Sequence, residues 1–100
     1  MSCGNNKKIR VPADVIPQDE LVHMLIDIHL SEASVSLARL KKDSFNFYLG
    51  NYYYAIFTKY HVSKEDFEKS MEFYLENPVI LQGIYENVID SLNNLQLVPK

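Results

Sequence analysis

Three helix-start signatures punctuate this chain, and no stretch between them alternates apolar and polar residues long enough to read as a strand. Pro17-Gln18-Asp19-Glu20 is the first. Proline is tolerated in a first helical turn, and Asp19 and Glu20 set negative charge at the positive end of the helix dipole. Ser63-Lys64-Glu65-Asp66 is the second, with Ser63 as the cap. Asn77-Pro78 is the third, with Asn77 as the cap and Pro78 at the first helical position. Short links between such segments favour antiparallel neighbours. The expected fold class is therefore all-α: a compact bundle of about four helices.

The first helix is predicted from about Gln18 to Lys41 or Lys42. Leu21, Met24, Leu25, Ile28 and Val35 mark one apolar face, and Val22, Ile26, Leu30, Ala33 and Leu37 mark a second. A helix apolar on two sides is expected at the centre, covered by neighbours or by a partner. The second helix is predicted to start at Asp43 or Ser44 and end at Tyr60. Gly50 costs it roughly 1 kcal/mol relative to alanine and permits a later start near Asn51. The third carries a buried stripe of Phe67, Met71 and Tyr74. The last runs from Pro78 to about Asn94, with Leu81, Ile84, Tyr85, Val88, Leu92 and Leu95 on one face. Pro12 and Pro17 make the segment between them extended. Residues 1–16 are read as a flexible tether and residues 17–97 as a single domain.

One hundred residues leave room for one modest core and no second domain. No apolar run approaches the roughly 20 residues of a membrane-spanning helix. A formal charge of −3 and a pI near 5.5 argue against a nucleic-acid partner, which usually meets a basic face.

The single cysteine cannot form an internal disulfide, but its context is informative. In Met1-Ser2-Cys3-Gly4, a small residue precedes the cysteine and glycine follows it, as at the end of a bacterial lipoprotein leader. Only two residues precede Cys3, so the expectation is a chain that starts near the processing site, with Cys3 as the lipidated residue. The alternative is a free thiol in a polar tail. A spacer from Cys3 to Ile16, at ~3.5 Å per residue, reaches at most ~45 Å from a bilayer. Lys7, Lys8 and Arg10 follow the cysteine where surface-exported lipoproteins of some bacteria carry acidic residues. This points to the periplasmic side.

His23, Asp27, His29 and Glu32 form a polar cluster on the first helix. Helical spacing pairs His23 with Asp27 and His29 with Glu32, so the four do not converge on one point. Carboxylate-bridged metal sites use Glu-x-x-His repeated on two helices, whereas this chain carries one His-x-x-Glu. No metal and no cofactor are therefore expected. The carboxylates are expected to accept hydrogen bonds from tyrosines of neighbouring helices, and His29 to pair with Glu32. A small-ligand or metal site built from these four is the alternative reading. There is no nucleophile motif and no glycine-rich phosphate loop, so the domain is expected to be non-enzymatic.

Tyr48, Tyr52, Tyr53, Tyr54, Phe57 and Tyr60 crowd the second helix. Tyr53, Phe57 and Tyr60 share a face and should be core. Tyr52 and Tyr54 lie to either side, and at least one should be exposed, as tyrosines at protein contacts are.

The order Ile16-Pro17, Asp27-Ile28-His29-Leu30-Ser31-Glu32-Ala33, Tyr53-Tyr54-Ala55-Ile56-Phe57, then His61 through Ser70, Tyr74, Asn77-Pro78 and Ile84-Tyr85 carries a resemblance. It resembles a domain-of-unknown-function family of small Bacteroidetes proteins, many of which look like lipoproteins. The resemblance covers about residues 15 to 93. It implies a helical, periplasmic domain tethered to the outer membrane and supplies no functional residues. His61 stands where a glycine is expected before the third helix, which weighs against a left-handed cap there. The expected function is binding of another cell-envelope protein or of itself, with membrane attachment through the lipid alone. His23, Asp27, His29, Glu32, Tyr52, Tyr53 and Tyr54 are the candidate contact residues.

Overall fold

 

The computed structural model describes residues 11–38 and 41–95. Among them are four helices and no strand: α1 (Gln18–Leu37), α2 (Lys42–Tyr60), α3 (Lys64–Leu75) and α4 (Pro78–Leu95). α1 is central and packs against α2 on one side and α4 on the other, while α3 packs against α4.

The first apolar face of α1 is the core. Leu21, Met24, Leu25, Ile28 and Val35 are all buried, and all but Val35 join one cluster with Ile56 of α2, Tyr74 of α3, and Ile84 and Val88 of α4. Burial of side chains this size is worth about 1.5–3 kcal/mol each. The second face behaves differently along its length. Val22 is buried and Ile26 half-buried, but Leu30, Ala33 and Leu37 are exposed. Of the two covers expected for a helix apolar on two sides, neighbouring parts of the chain supply the second only along the first turns of α1.

The helix ends follow local chemistry. Ser63 caps α3, its hydroxyl accepting from the Asp66 N–H at 3.0 Å. Asn77 acts on the other side of its link: its side-chain amide donates to the Phe73 carbonyl at 2.8 Å, closing the end of α3 rather than the start of α4. α1 stops at Leu37 instead of Lys41 or Lys42, because α2 starts early, at Lys42 with Lys41 as its cap. α2 passes through Gly50 without interruption. His61 takes the left-handed conformation after all, with φ 57° and ψ 45°. The gain is a closed helix end: the Val62 N–H reaches the Phe57 carbonyl at 2.9 Å and the His61 N–H reaches that of Thr58 at 3.1 Å.

The described part of the expected tether is built into the domain. Val15 donates to the Pro12 carbonyl at 3.1 Å, closing a turn where a fully extended segment was expected. Val15 and Ile16 are buried. Ile16 is held at both polar ends by α3: its N–H donates to Ser70 Oγ at 2.9 Å, and its carbonyl accepts from the Tyr74 hydroxyl at 2.6 Å. Lys69 pairs with Asp14 at the surface beside them, where an ion pair contributes little. Any flexible tether therefore ends before Val15, short of the expected Ile16.

Ser70→Ala leaves the buried Ile16 N–H without a partner, and should cost about 1–3 kcal/mol in denaturant unfolding. Tyr74→Phe should cost a comparable amount by orphaning the carbonyl. In the opposite direction, a Cβ on Gly50 would meet nothing within 4 Å. Gly50→Ala should stabilise by about 1 kcal/mol, and His61→Gly by about 1–2 kcal/mol through relief of the left-handed backbone. Thermal unfolding of the two variants checks both.

Candidate interaction face

The polar cluster of α1 divides into two hydrogen-bonded carboxylates and two solvent-facing histidines. Asp27 is half-buried and accepts from the Tyr60 hydroxyl at 2.8 Å and from Lys59 Nζ at 3.0 Å. Glu32 accepts from the Tyr53 hydroxyl at 2.6 Å. All three bonds run from α2 to α1, and the two from phenols are those expected for carboxylates on a central helix beside a tyrosine-rich one. The expected His29–Glu32 pair does not form. His29 and His23 are exposed, and Glu32 is turned to Tyr53 instead. Among the described residues no three His, Cys, Asp or Glu side chains gather as a metal site would require. The four residues do not share a pocket, so the ligand or metal alternative is not favoured.

These bonds tune the tyrosines. Burial, reinforced by the Glu32 hydrogen bond, pushes the Tyr53 hydroxyl up to about 12. Burial and the Asp27 bond also raise Tyr60, and burial raises Tyr74. Lys59 is raised by its bond to Asp27. The protonated phenols tie α2 to α1 through these two carboxylates.

The tyrosine helix sorts its aromatic residues by face. Tyr53, Phe57 and Tyr60 are half-buried and pack on the core, and the Phe57 ring lies 5.2 Å from that of Phe67 in α3. Tyr52 and Tyr54 are both exposed, at 42% and 74%. Tyr48 is exposed on the same side as Tyr52, one turn away, while Phe47 falls with Tyr54 on the outer side of α2.

Tyr48 and Tyr52 border an open trough between α1 and α2. One depression of about 270 Å³ is lined by Ser34, Val35, Ala38, Tyr48 and Tyr52. A second, of about 260 Å³, continues past Tyr52 to Leu30, Ser31, Ala55 and the Asp27–Lys59 pair. Leu30, on the uncovered second face of α1, lines it, and the exposed Leu37 lies two turns further along that face. The sequence reading identified Tyr52 but not Tyr48, Leu30 and Leu37 as members of this surface. The signal is present in the second stripe of α1, whose apolar period calls for a cover from a neighbouring helix or a partner. Cys3 lies outside the described residues.

The raised tyrosines give a pH signature. A phenol held above its unfolded value of 10 contributes stability below pH 10 and loses it as pH rises through the folded value, about 12 for Tyr53. Stability should therefore fall between pH 10 and about 12, and Tyr53→Phe should remove one late-ionising phenol from the ultraviolet titration. Loss of an early-ionising phenol instead would show that Tyr53 is not held by Glu32.

No curated protein and no solved structure matches this chain. One family does, over residues 12–97, nearly the whole of it. The central helix, the tyrosine helix bonded to it and the strap that precedes them all lie within that match, and the chain belongs to the family described as a domain of unknown function, DUF4296.

Proposed function

We propose that this domain is a non-enzymatic docking module of the cell envelope, tethered by a lipid on Cys3, that binds a protein through the front of the α1–α2 hairpin. The partner is another envelope protein or a second copy of the chain. The observation that carries this reading is the uncovered second face of α1. Leu30 and Leu37 are 44% and 81% exposed and continue a stripe that is buried at Val22. With Tyr48 and Tyr52 they make an apolar and aromatic surface of the kind enriched at protein contacts. Support for the tether is the Ser2-Cys3-Gly4 context. No described helix is long and apolar enough to cross a membrane.

The test places a photo-crosslinking amino acid at position 52 or 54 of the full-length protein in its native envelope. Position 52 should yield a discrete crosslinked species and position 54 should not. Equal or absent crosslinking at both would remove the hairpin front as the docking face. Labelling with a fatty-acid analogue should mark the wild-type chain and not Cys3→Ser; label retained in that variant would rule out Cys3 as the anchor.

A further inference from the structure

We infer that the occupant of this face is the same face of a second copy, packed about a two-fold axis with the α1 helices antiparallel; this rests on the docking reading above. The reason is the distribution of charge along the hairpin. Asp19 and Glu20 stand at its base, in the first turn of α1, and Lys41 and Lys42 stand at its tip, at the start of α2. Asp43 also lies at the tip, but its helical position groups it with Phe47 and Tyr54 on the outer side of α2. Glu20 precedes Leu30 by ten residues and Lys41 follows it by eleven. A two-fold axis passing near Leu30 therefore sets the acidic base of each copy against the basic tip of the other. A parallel arrangement would place like charges together, which is costly across an interface.

The same axis meets the apolar surface at its middle. Leu30, Ser31 and Tyr52 line one depression, so Tyr52 of α2 is level with Leu30 of α1. In an isologous pair, residues near the axis meet their own counterparts. Leu30 and Tyr52 would pack on Leu30 and Tyr52 of the other copy, and the small side chains of Ser31, Ser34 and Ala38 would allow close approach. The central contact is then apolar and the charges lie at its rim, where they set orientation more than affinity. The Asp27–Lys59 pair is satisfied within each copy and adds no net charge to the middle.

The experiment uses the full chain carrying Cys3→Ser, so that an introduced cysteine is the only thiol. Under an added oxidant, Tyr52→Cys should form a covalent dimer and Tyr54→Cys should not, with unchanged circular dichroism in both. Without oxidant, the parent should sediment as a dimer at high concentration. Lys41→Glu with Lys42→Glu should weaken the pairing by about tenfold or more, and adding Asp19→Lys with Glu20→Lys should restore it. A chain that stays monomeric at all concentrations, or charge reversals without effect, overturns the two-fold pairing. If photo-crosslinking at position 52 then captures a different protein, the docking reading survives and only self-pairing fails; if it captures nothing, both fail.

Discussion

The two hydrogen bonds that α3 makes to Ile16 hold the arrangement together. Ser70 and Tyr74 take up both backbone polar groups of a residue whose side chain is buried, so the strap before α1 has no competing place to go. Buried backbone groups left without partners are expensive, and this makes the clip specific as well as stabilising. It fixes where α1 begins. It also ties α3, whose main helical neighbour is α4, to the start of the central helix. A tether attached upstream would therefore enter the domain beside α3.

From that clip the domain divides along the length of α1. Near its start, α1 is surrounded by the strap, α2, α3 and α4, and apolar residues on both of its sides are covered. Towards its end the covering thins. α3 is only twelve residues long, and the distal part of the α1–α2 hairpin is left with one buried residue, Val35. Two tyrosine–carboxylate bonds, Tyr60 to Asp27 and Tyr53 to Glu32, pin α2 to α1. The hairpin is thus positioned while its front remains open.

That division explains why the polar cluster resolved as it did. Asp27 and Glu32 sit at the borders of the face that α2 covers, within reach of phenols from a helix dense in tyrosine. His23 and His29 point away from that face. Residue type and i, i+4 spacing suggest pairs along one helix, but a neighbouring helix offers better-placed donors, and a carboxylate that accepts from a half-buried phenol gains more than one facing an exposed imidazole. Membership of DUF4296 fits the helical reading and adds no site residue to it.

What the sequence determined by itself is local. Ser63 as a cap, Pro78 opening α4, the core face of α1 and the core face of α2 all follow from the chemistry of neighbouring residues and from helical period. Tertiary structure decided the rest. Gly50 stays helical because the surrounding turns hold it, and His61 turns left-handed because closing the end of α2 offsets the backbone strain. Val15 and Ile16 are buried because α3 supplies partners that lie more than fifty residues away in sequence. The exposure of Leu30 and Leu37 is of the same kind. Periodicity marks them as apolar and aligned, but only the lengths and packing of the other helices determine whether anything within the chain covers them.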